Sequence, residues 1–427
     1  MKITFICAVF PPEPAPAGIM AQQLAKRLTE DGHTVTVIVP LPNRPEGRVY
    51  PGFRRRLLSH TVSDDGYTVV RCANWLIGAR RRTINRLFEN ITFGLSSMWA
   101  ALREDRPDLM IVETWPLFAM SFSWLLARAR KVPYFYYVQD VYPEAAEESG
   151  MIKAGGWLSR VLRKWDRLLC RDSATIITIS ESMKNLLVGN RRLSPDCFSI
   201  LPNWVDESIF PRWNGHARWR HSQGIPEDAF VAMFAGTLGH VSGADVLIEV
   251  AELLSVEHDV LLVVIGEGVR KQFMRDEISR RNLGNIRLLP FQPAEVVPEV
   301  QASCDTALLT MHRNASNTSV PSKLITYLAA SRPVVCAARS DSAVARTVLD
   351  ARAGHVVQPG HAGEIASAIL KLRNERSAAI AMGQNGREYF EEHFTLNRAY
   401  ETFRRILHDT HTAPLSPMTA NPGFLNQ

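Results

Sequence analysis

The chain has 427 residues, 46% hydrophobic and 22% charged, which excludes a disordered or fibrous protein and leaves room for two or three domains with separate cores. Lysine and arginine number 49 against 43 acidic residues, a mild excess of +6 that is clustered: 54–56, 80–82 with Arg86, 128–131, and Arg160, Arg163, Lys164 and Arg167. Clusters like these suit an anionic membrane surface or a polyphosphate partner, or equally a solvated arginine-rich face, and no nucleic-acid-binding motif accompanies them.

Residues 3–10 are apolar, but the run is short and follows a single Lys2. It breaks into Pro11-Pro12-Glu13-Pro14 instead of a small-residue cleavage site, so a buried first strand is expected, not a signal peptide. A loop over 11–18 and a helix over 19–30 follow, the helix carrying Met20, Leu24 and Leu28 at helical spacing. Asp31-Gly32 ends the helix, and 33–39 is the next strand of a βαβ unit. Further strands are predicted over 109–112, 134–138, 175–179 and 198–201. The most apolar stretch, 114–127, falls short of the roughly 18 residues a membrane span needs. Cys7, Cys72, Cys170, Cys197, Cys304 and Cys336 form no CxxC pair, which argues against structural zinc or a disulfide framework and implies a reducing, cytoplasmic setting.

The plan restarts near 229. Strands are predicted over 229–235, 260–265, 286–289, 306–309, 333–336 and 354–357, with helices between them and a helix over 244–254. Two α/β halves built on parallel sheets, joined near 202–211 and facing each other across a cleft, are the expected result. A last helical pattern covers 396–407, and the polar, proline-bearing residues from 411 read as a disordered tail.

Four places carry candidate chemistry. Gly266-Glu267-Gly268 follows a strand and opens a helix, and could hold a phosphate or sugar by backbone amides. It lacks the third glycine of a dinucleotide fingerprint, which disfavours a nicotinamide cofactor, and reads more readily as a plain strand-to-helix turn. Pro321-Ser322-Lys323 starts a helix with the proline in its first turn, an arrangement that suits a diphosphate, although lysines at helix starts are common. Gly18 opens the first helix and would let a ligand approach, or simply make a turn. Asp140 and Glu144 follow the 134–138 strand, where ligands bind in open parallel sheets; either is a candidate general base, and helix capping explains an Asp there equally well. None of the 12 histidines lies at a metal-binding spacing.

In order along the chain stand FPPEPAPAG, GHTVTVIVP, DVYPEAAEESG, ITISESM, LPNWVD, FAGTLG, VVIGEG, VPSKLITYLAASRPVV and AGHVVQPG. Together they resemble family 4 glycosyltransferases of the GT-B fold, in the bacterial polysaccharide branch that includes fucosamine transferases, from residue 1 to about 408. The resemblance implies an acceptor-side Rossmann-like domain over 1–205, a nucleotide-sugar donor domain over 206–395, a helix over 396–410 returning to the first domain, and the tail over 411–427. It implies retaining transfer from a nucleotide diphosphate donor, UDP-linked in this reading, with no metal and no cofactor beyond the donor as co-substrate. By position, Gly18 would face the donor phosphates, and Gly236 and Thr237 would open the donor loop. Gly266 and Gly268 would line the nucleotide, Ser322 and Lys323 would bind the diphosphate, and Arg270, Pro321 and Thr326 are further donor-binding candidates. Asp140 would lie near the reacting carbon.

The family often has an Arg and a Lys in the donor loop and a Glu-x7-Glu pair. Here Thr237, Ser242, Thr318 and Thr326 stand in those places, with Lys323, Arg270 or His240 to supply the missing charge. Each lost charged contact costs on the order of 2 kcal/mol of leaving-group stabilisation. The expected protein is a cytoplasmic-face glycosyltransferase acting on a lipid-linked oligosaccharide, peripheral on the inner membrane surface. Its rivals are a catalytically silent binding subunit and a soluble transferase acting on a small-molecule acceptor.

Overall fold

The computed structural model describes residues 1–44, 47–74, 82–114, 117–148, 150–212, 218–239, 241–313 and 321–412. Thr318, His240, the arginines at 80 and 81 and the tail from 413 lie outside these residues. The chain divides into two compact units, Met1–Pro202 with Tyr400–Gln427, and Asn203–Ala399.

The first unit holds strands β1 (Lys2–Ile6), β2 (Thr34–Pro40), β3 (Leu58–Val62), β4 (Thr68–Cys72), β5 (Leu109–Glu113), β6 (Tyr134–Val138), β7 (Thr175–Thr178) and β8 (Phe198–Ile200). Its helices are α1 (Pro16–Glu30), α2 (Arg82–Arg103), α3 (Leu117–Arg130), α4 (Glu144–Glu148), α5 (Trp157–Asp172) and α6 (Glu181–Arg191). The strand order is β3-β4-β2-β1-β5-β6-β7-β8, parallel throughout except for the β3–β4 hairpin at one edge. β5 and β6 are buried along their whole length, as strands covered by helices on both faces must be.

The first strand stops at Ile6, four residues before the apolar run ends. Cys7 makes one last bond to β2, its amide donating to the Ile38 carbonyl at 3.3 Å, and residues 8–10 stay buried beyond the strand, which explains the longer apolar stretch. α1 begins at Pro16, three residues earlier than the spacing suggests, because a proline at N1 needs no hydrogen bond for its nitrogen.

The second unit carries β9 (Phe230–Ala235), β10 (Val260–Ile265), β11 (Ile286–Leu289), β12 (Thr306–Thr310), β13 (Val334–Ala337) and β14 (Gly354–Val357), in the order β11-β10-β9-β12-β13-β14 and all parallel. Its helices are α7 (Arg218–Ser222), α8 (Val246–Leu253), α9 (Lys271–Arg280), α10 (Val297–Ala302), α11 (Ser322–Ala329), α12 (Ala343–Asp350), α13 (Ala362–Asn374) and α14 (Arg376–His393). Strand periodicity splits the core into two layers. Val231 and Met233 face Leu324, Tyr327, Leu328 and Phe390, whereas Ala232 and Phe234 face Leu247, Ile248, Met274 and Ile369.

The last helix, α15 (Leu396–Thr412), belongs to the first unit from Tyr400 onward. There the Tyr400 hydroxyl donates to Asp31 at 2.8 Å, and Phe403 packs edge-on against Phe135 at 6.3 Å. Both units are therefore doubly wound α/β folds, with the last helix returning to the first.

Candidate active site

In an open parallel sheet the ligand crevice lies beyond the strand C-termini where the winding reverses. In the second unit that point falls between β9 and β12, because β10 and β11 lie on one side of β9 and β12 to β14 on the other. β9 delivers Phe234, Ala235 and Gly236 to this point, and the chain after β12 delivers α11.

α11 has Pro321 as its N-cap, one position earlier than an N1 proline, and no side chain caps it. Its buried face carries Leu324, Tyr327 and Leu328. Tyr327 is locked to the end of β9: its hydroxyl accepts from the Ala235 amide at 2.9 Å and donates to the Ala235 carbonyl at 3.3 Å. Lys323, four residues earlier and so on the same helical face, is thereby set beneath Gly236. Its Nζ sits 4.1 Å from the Phe234 ring centroid, and a Cβ added to Gly236 would lie 3.2 Å from it.

Lys323 is half-buried, and among the described residues no acceptor bonds its ammonium. Burial alone lowers its pKa to about 8. An ammonium held this way gains most from an incoming anion, which would restore the charged form. Thr326 is spent locally, its hydroxyl donating to the Lys323 carbonyl at 2.9 Å, and Ser322 is half-buried in the first turn.

The glycine loop after β10 serves the same crevice by backbone packing. The Leu238 amide donates to the Glu267 carbonyl at 2.8 Å, and the Arg270 amide to the Leu238 carbonyl at 3.0 Å. A Cβ on Gly266 would lie 2.0 Å from the Gly236 carbonyl oxygen, and one on Gly268 (φ +150°) would lie 2.4 Å from that of Leu238. Both glycines are required because the two loops touch main chain to main chain. The helix after this loop starts only at Lys271. Arg270 is engaged by Asp245 at 2.6 Å and stacks on Phe273 at 4.0 Å, so its charge is already paired. Thr237 is exposed, and the Ser242 hydroxyl donates to the Gly239 carbonyl at 2.7 Å.

Gly18 and Asp140 belong to the first unit. Gly18 is buried in the first turn of α1, where an added Cβ would come within 3.0 Å of the Phe10 backbone; chain packing requires the glycine. Asp140 is exposed just past β6, its carbonyl accepting from the Thr114 hydroxyl at 3.2 Å, and it caps no helix. Glu144 is a different case. It accepts from Arg191 at 2.7 and 2.8 Å, Arg163 at 3.0 Å and Asn190 at 2.9 Å. Burial pushes its carboxyl up, but the hydrogen bonds and charge of Arg191 outweigh this and hold it at about 2. Glu144 is thus a structural anion and not a general base.

One residue carries no signal in the sequence. Glu113 ends β5 at the first unit's own reversal point, buried, and burial pushes its carboxyl up to about 8 against the opposing Ala8 amide and Arg44 charge. Among the described residues no group of three or more His, Cys, Asp or Glu side chains is gathered to hold a metal ion.

Two family profiles match the chain: one described as a glycosyl transferase 4-like domain over residues 17–204, the other as glycosyl transferases group 1 over residues 216–389. A protein of Escherichia coli K12 named for a glycosyl transferase of colanic acid biosynthesis, WcaI, is 24% identical over 335 residues, covering 77% of this chain and 81% of its own length. Among solved structures, Anabaena HepE in complex with UDP and glucose superposes with a TM-score of 0.70 at 15% identity, covering 96% of this chain and 100% of HepE. WaaG, a glycosyltransferase involved in lipopolysaccharide biosynthesis, superposes at 0.66 with 16% identity over 96% of this chain and all of its own. With one profile on each unit and neighbours matching from end to end, the chain belongs to the family 4 glycosyltransferases of the GT-B fold.

Proposed function

We propose that this glycosyltransferase moves a sugar, read here as an N-acetylated amino sugar, from a UDP-linked donor to a lipid-linked oligosaccharide or other polysaccharide precursor, with retention at the anomeric carbon. The observation that carries the reading is the Lys323 ammonium at the β9–α11 crevice, which lies over the Phe234 ring and has no hydrogen-bond acceptor among the described residues. As the bond from the anomeric carbon to the diphosphate breaks, negative charge builds on the leaving phosphate oxygen. A fixed cation beside that oxygen stabilises the transition state more than the ground state. An acceptor hydroxyl then bonds the anomeric carbon as the diphosphate departs and passes its proton to the leaving phosphate oxygen, with Asp140 assigned to the neighbourhood of that carbon. UDP as the base draws support from neighbours solved with UDP, and the glycan acceptor from the relatives' names.

A thermal-shift screen against UDP, GDP, ADP and CMP tests the donor site, since a ligand that binds the native state raises its melting temperature. A rise with UDP followed by UDP release from a UDP-sugar supports the proposal; no rise with any nucleotide overturns it. The second reading, a silent binding subunit, is favoured by the uncharged Thr237, Ser242 and Thr326, two of which spend their hydroxyls on nearby backbone. It predicts a UDP shift with no release from any donor.

A further inference from the structure

α5 exposes apolar side chains on the face that meets water. Its first three turns bury Ser159 and Asp166, and only its last turn buries the apolar Leu169 and Cys170. The Ser159 hydroxyl donates to Glu147 at 2.5 Å, and Asp166 accepts from the Tyr136 hydroxyl and, at 2.5 Å, from Arg191. Arg163 is also tied down, to Glu144 at 3.0 Å and Glu147 at 2.5 Å. The outer face is apolar: Trp157 is 72% exposed, Val161 53% and Trp165 37%, one turn apart, with Leu158 beside them. Met151 on the preceding loop and Leu125 on α3 extend the same apolar exposure.

The rim of this face is basic. Arg160, Lys164 and Arg171 are exposed along α5, and Arg128 of α3 lies 68% exposed. Of the two carboxylates on α5, Asp166 is buried, and Asp172 is held by Trp124 and Arg128, each at 2.9 Å. Trp165 is fixed in place, donating to the Ser121 hydroxyl at 2.8 Å and packing edge-on against Trp124 at 5.5 Å. Exposed apolar side chains on a polar-backed helix cost solubility unless something covers them.

We propose that α5 is the protein's membrane contact, lying in the headgroup region of an anionic bilayer with Trp157, Val161 and Trp165 toward the acyl chains and Arg160, Lys164 and Arg171 among the lipid phosphates. Tryptophan belongs at that depth, and basic side chains are drawn to the phosphates of an anionic surface. Charge decides between occupants. A second copy docking through the same face would set the basic rim against itself, whereas anionic lipid complements it. The proposal deepens the reading of a lipid-linked acceptor, but its test does not depend on transfer chemistry.

The experiment is flotation of the purified full chain with phosphatidylcholine vesicles, with and without phosphatidylglycerol. The chain should float with the anionic vesicles, less so at high salt, and stay down with phosphatidylcholine alone. Replacing Trp157 and Val161 together by serine should weaken partitioning by about tenfold or more, as buried apolar area is lost. Reversing Arg160 and Lys164 to glutamate should abolish the preference for phosphatidylglycerol. All four side chains are solvent-facing, so unchanged melting temperatures show that the variants fold. The proposal is overturned if the wild-type chain binds neither vesicle or if both variants bind as before. It is also overturned if light scattering shows a dimer that Trp157→Ser converts to monomer. Vesicle binding without any UDP shift would sink the transferase reading and leave this one standing.

Discussion

Glu144 and Lys323 occupy comparable places, each on the first helix after a central strand, and their surroundings are opposite. Glu144 follows β6 and is saturated by Arg191, Arg163 and Asn190, with its carboxyl held near 2. Lys323 follows β12, has no acceptor among the described residues, and has its pKa lowered to about 8 by burial. A buried charge whose partners are all supplied by the chain is spent on the fold. One that is desolvated and left open is held for something that arrives. The two units share an architecture, so the difference lies in what each crevice is asked to bind.

The saturated side should break hardest. Arg191→Leu leaves Asp166 buried without a cation and Glu144 with Arg163 alone, and should cost about 3–5 kcal/mol, seen in chemical denaturation of the full chain as early loss of the first unit. The acid limb sharpens the point. Glu144 is depressed below its ordinary 4.5, so its stabilising contribution is fully present above that pH and lost as pH falls toward about 2. Asp166 is raised, first by burial, so its contribution has the opposite sign and is present at low pH. If the variant keeps both its stability and the wild-type acid profile, the triad is not what holds this unit.

The open side should lose function and gain stability. Lys323→Met should weaken UDP binding and donor turnover by about a hundredfold, the equivalent of about 2.7 kcal/mol of electrostatic stabilisation. The free protein should melt higher. Because the folded pKa lies below the ordinary 10.5, the buried ammonium costs stability below about pH 8, and the cost is relieved as pH rises between the two values. Differential scanning calorimetry with and without UDP checks both signs; a variant that melts lower in both states would make Lys323 a structural residue.

The same titration predicts a pH profile. UDP affinity should fall as pH rises through about 8, while the Lys323→Met variant stays flat over that window. Calorimetric titration at several pH values measures it, and parallel profiles for the two proteins would assign the pH dependence to another group.

Much of the fold was legible because fully buried strands and amphipathic helices write their periods plainly, as in 134–138 and 260–265, where the expected and observed strands coincide. The β3–β4 hairpin was not legible. β3 is an edge strand with an exposed second half, LSHTV, and lacks the alternation that marks a half-buried strand. At the site, Lys323 and the paired glycines could be read because a helix start and a strand-to-helix turn are local signals. The role of Glu144 could not, since its partner Arg191 is 47 residues away. Glu113 was hidden for a related reason: a carboxylate after an apolar run looks like a surface turn until the sheet places it at a reversal point.

The smallest change should be the most discriminating. Tyr327→Phe keeps the ring that packs α11 and removes only the hydroxyl that accepts from the Ala235 amide and donates to its carbonyl. Leaving those two backbone groups without their partner should cost about 1–2 kcal/mol. If the hydroxyl also sets where Lys323 stands, UDP affinity should drop several-fold while the pH profile keeps its shape, because the ammonium remains but is less well placed. A variant that melts lower yet binds UDP as tightly as before would separate the two roles. Tyr327 would then hold α11 to the sheet, and the position of Lys323 would be set by its packing over the Phe234 ring.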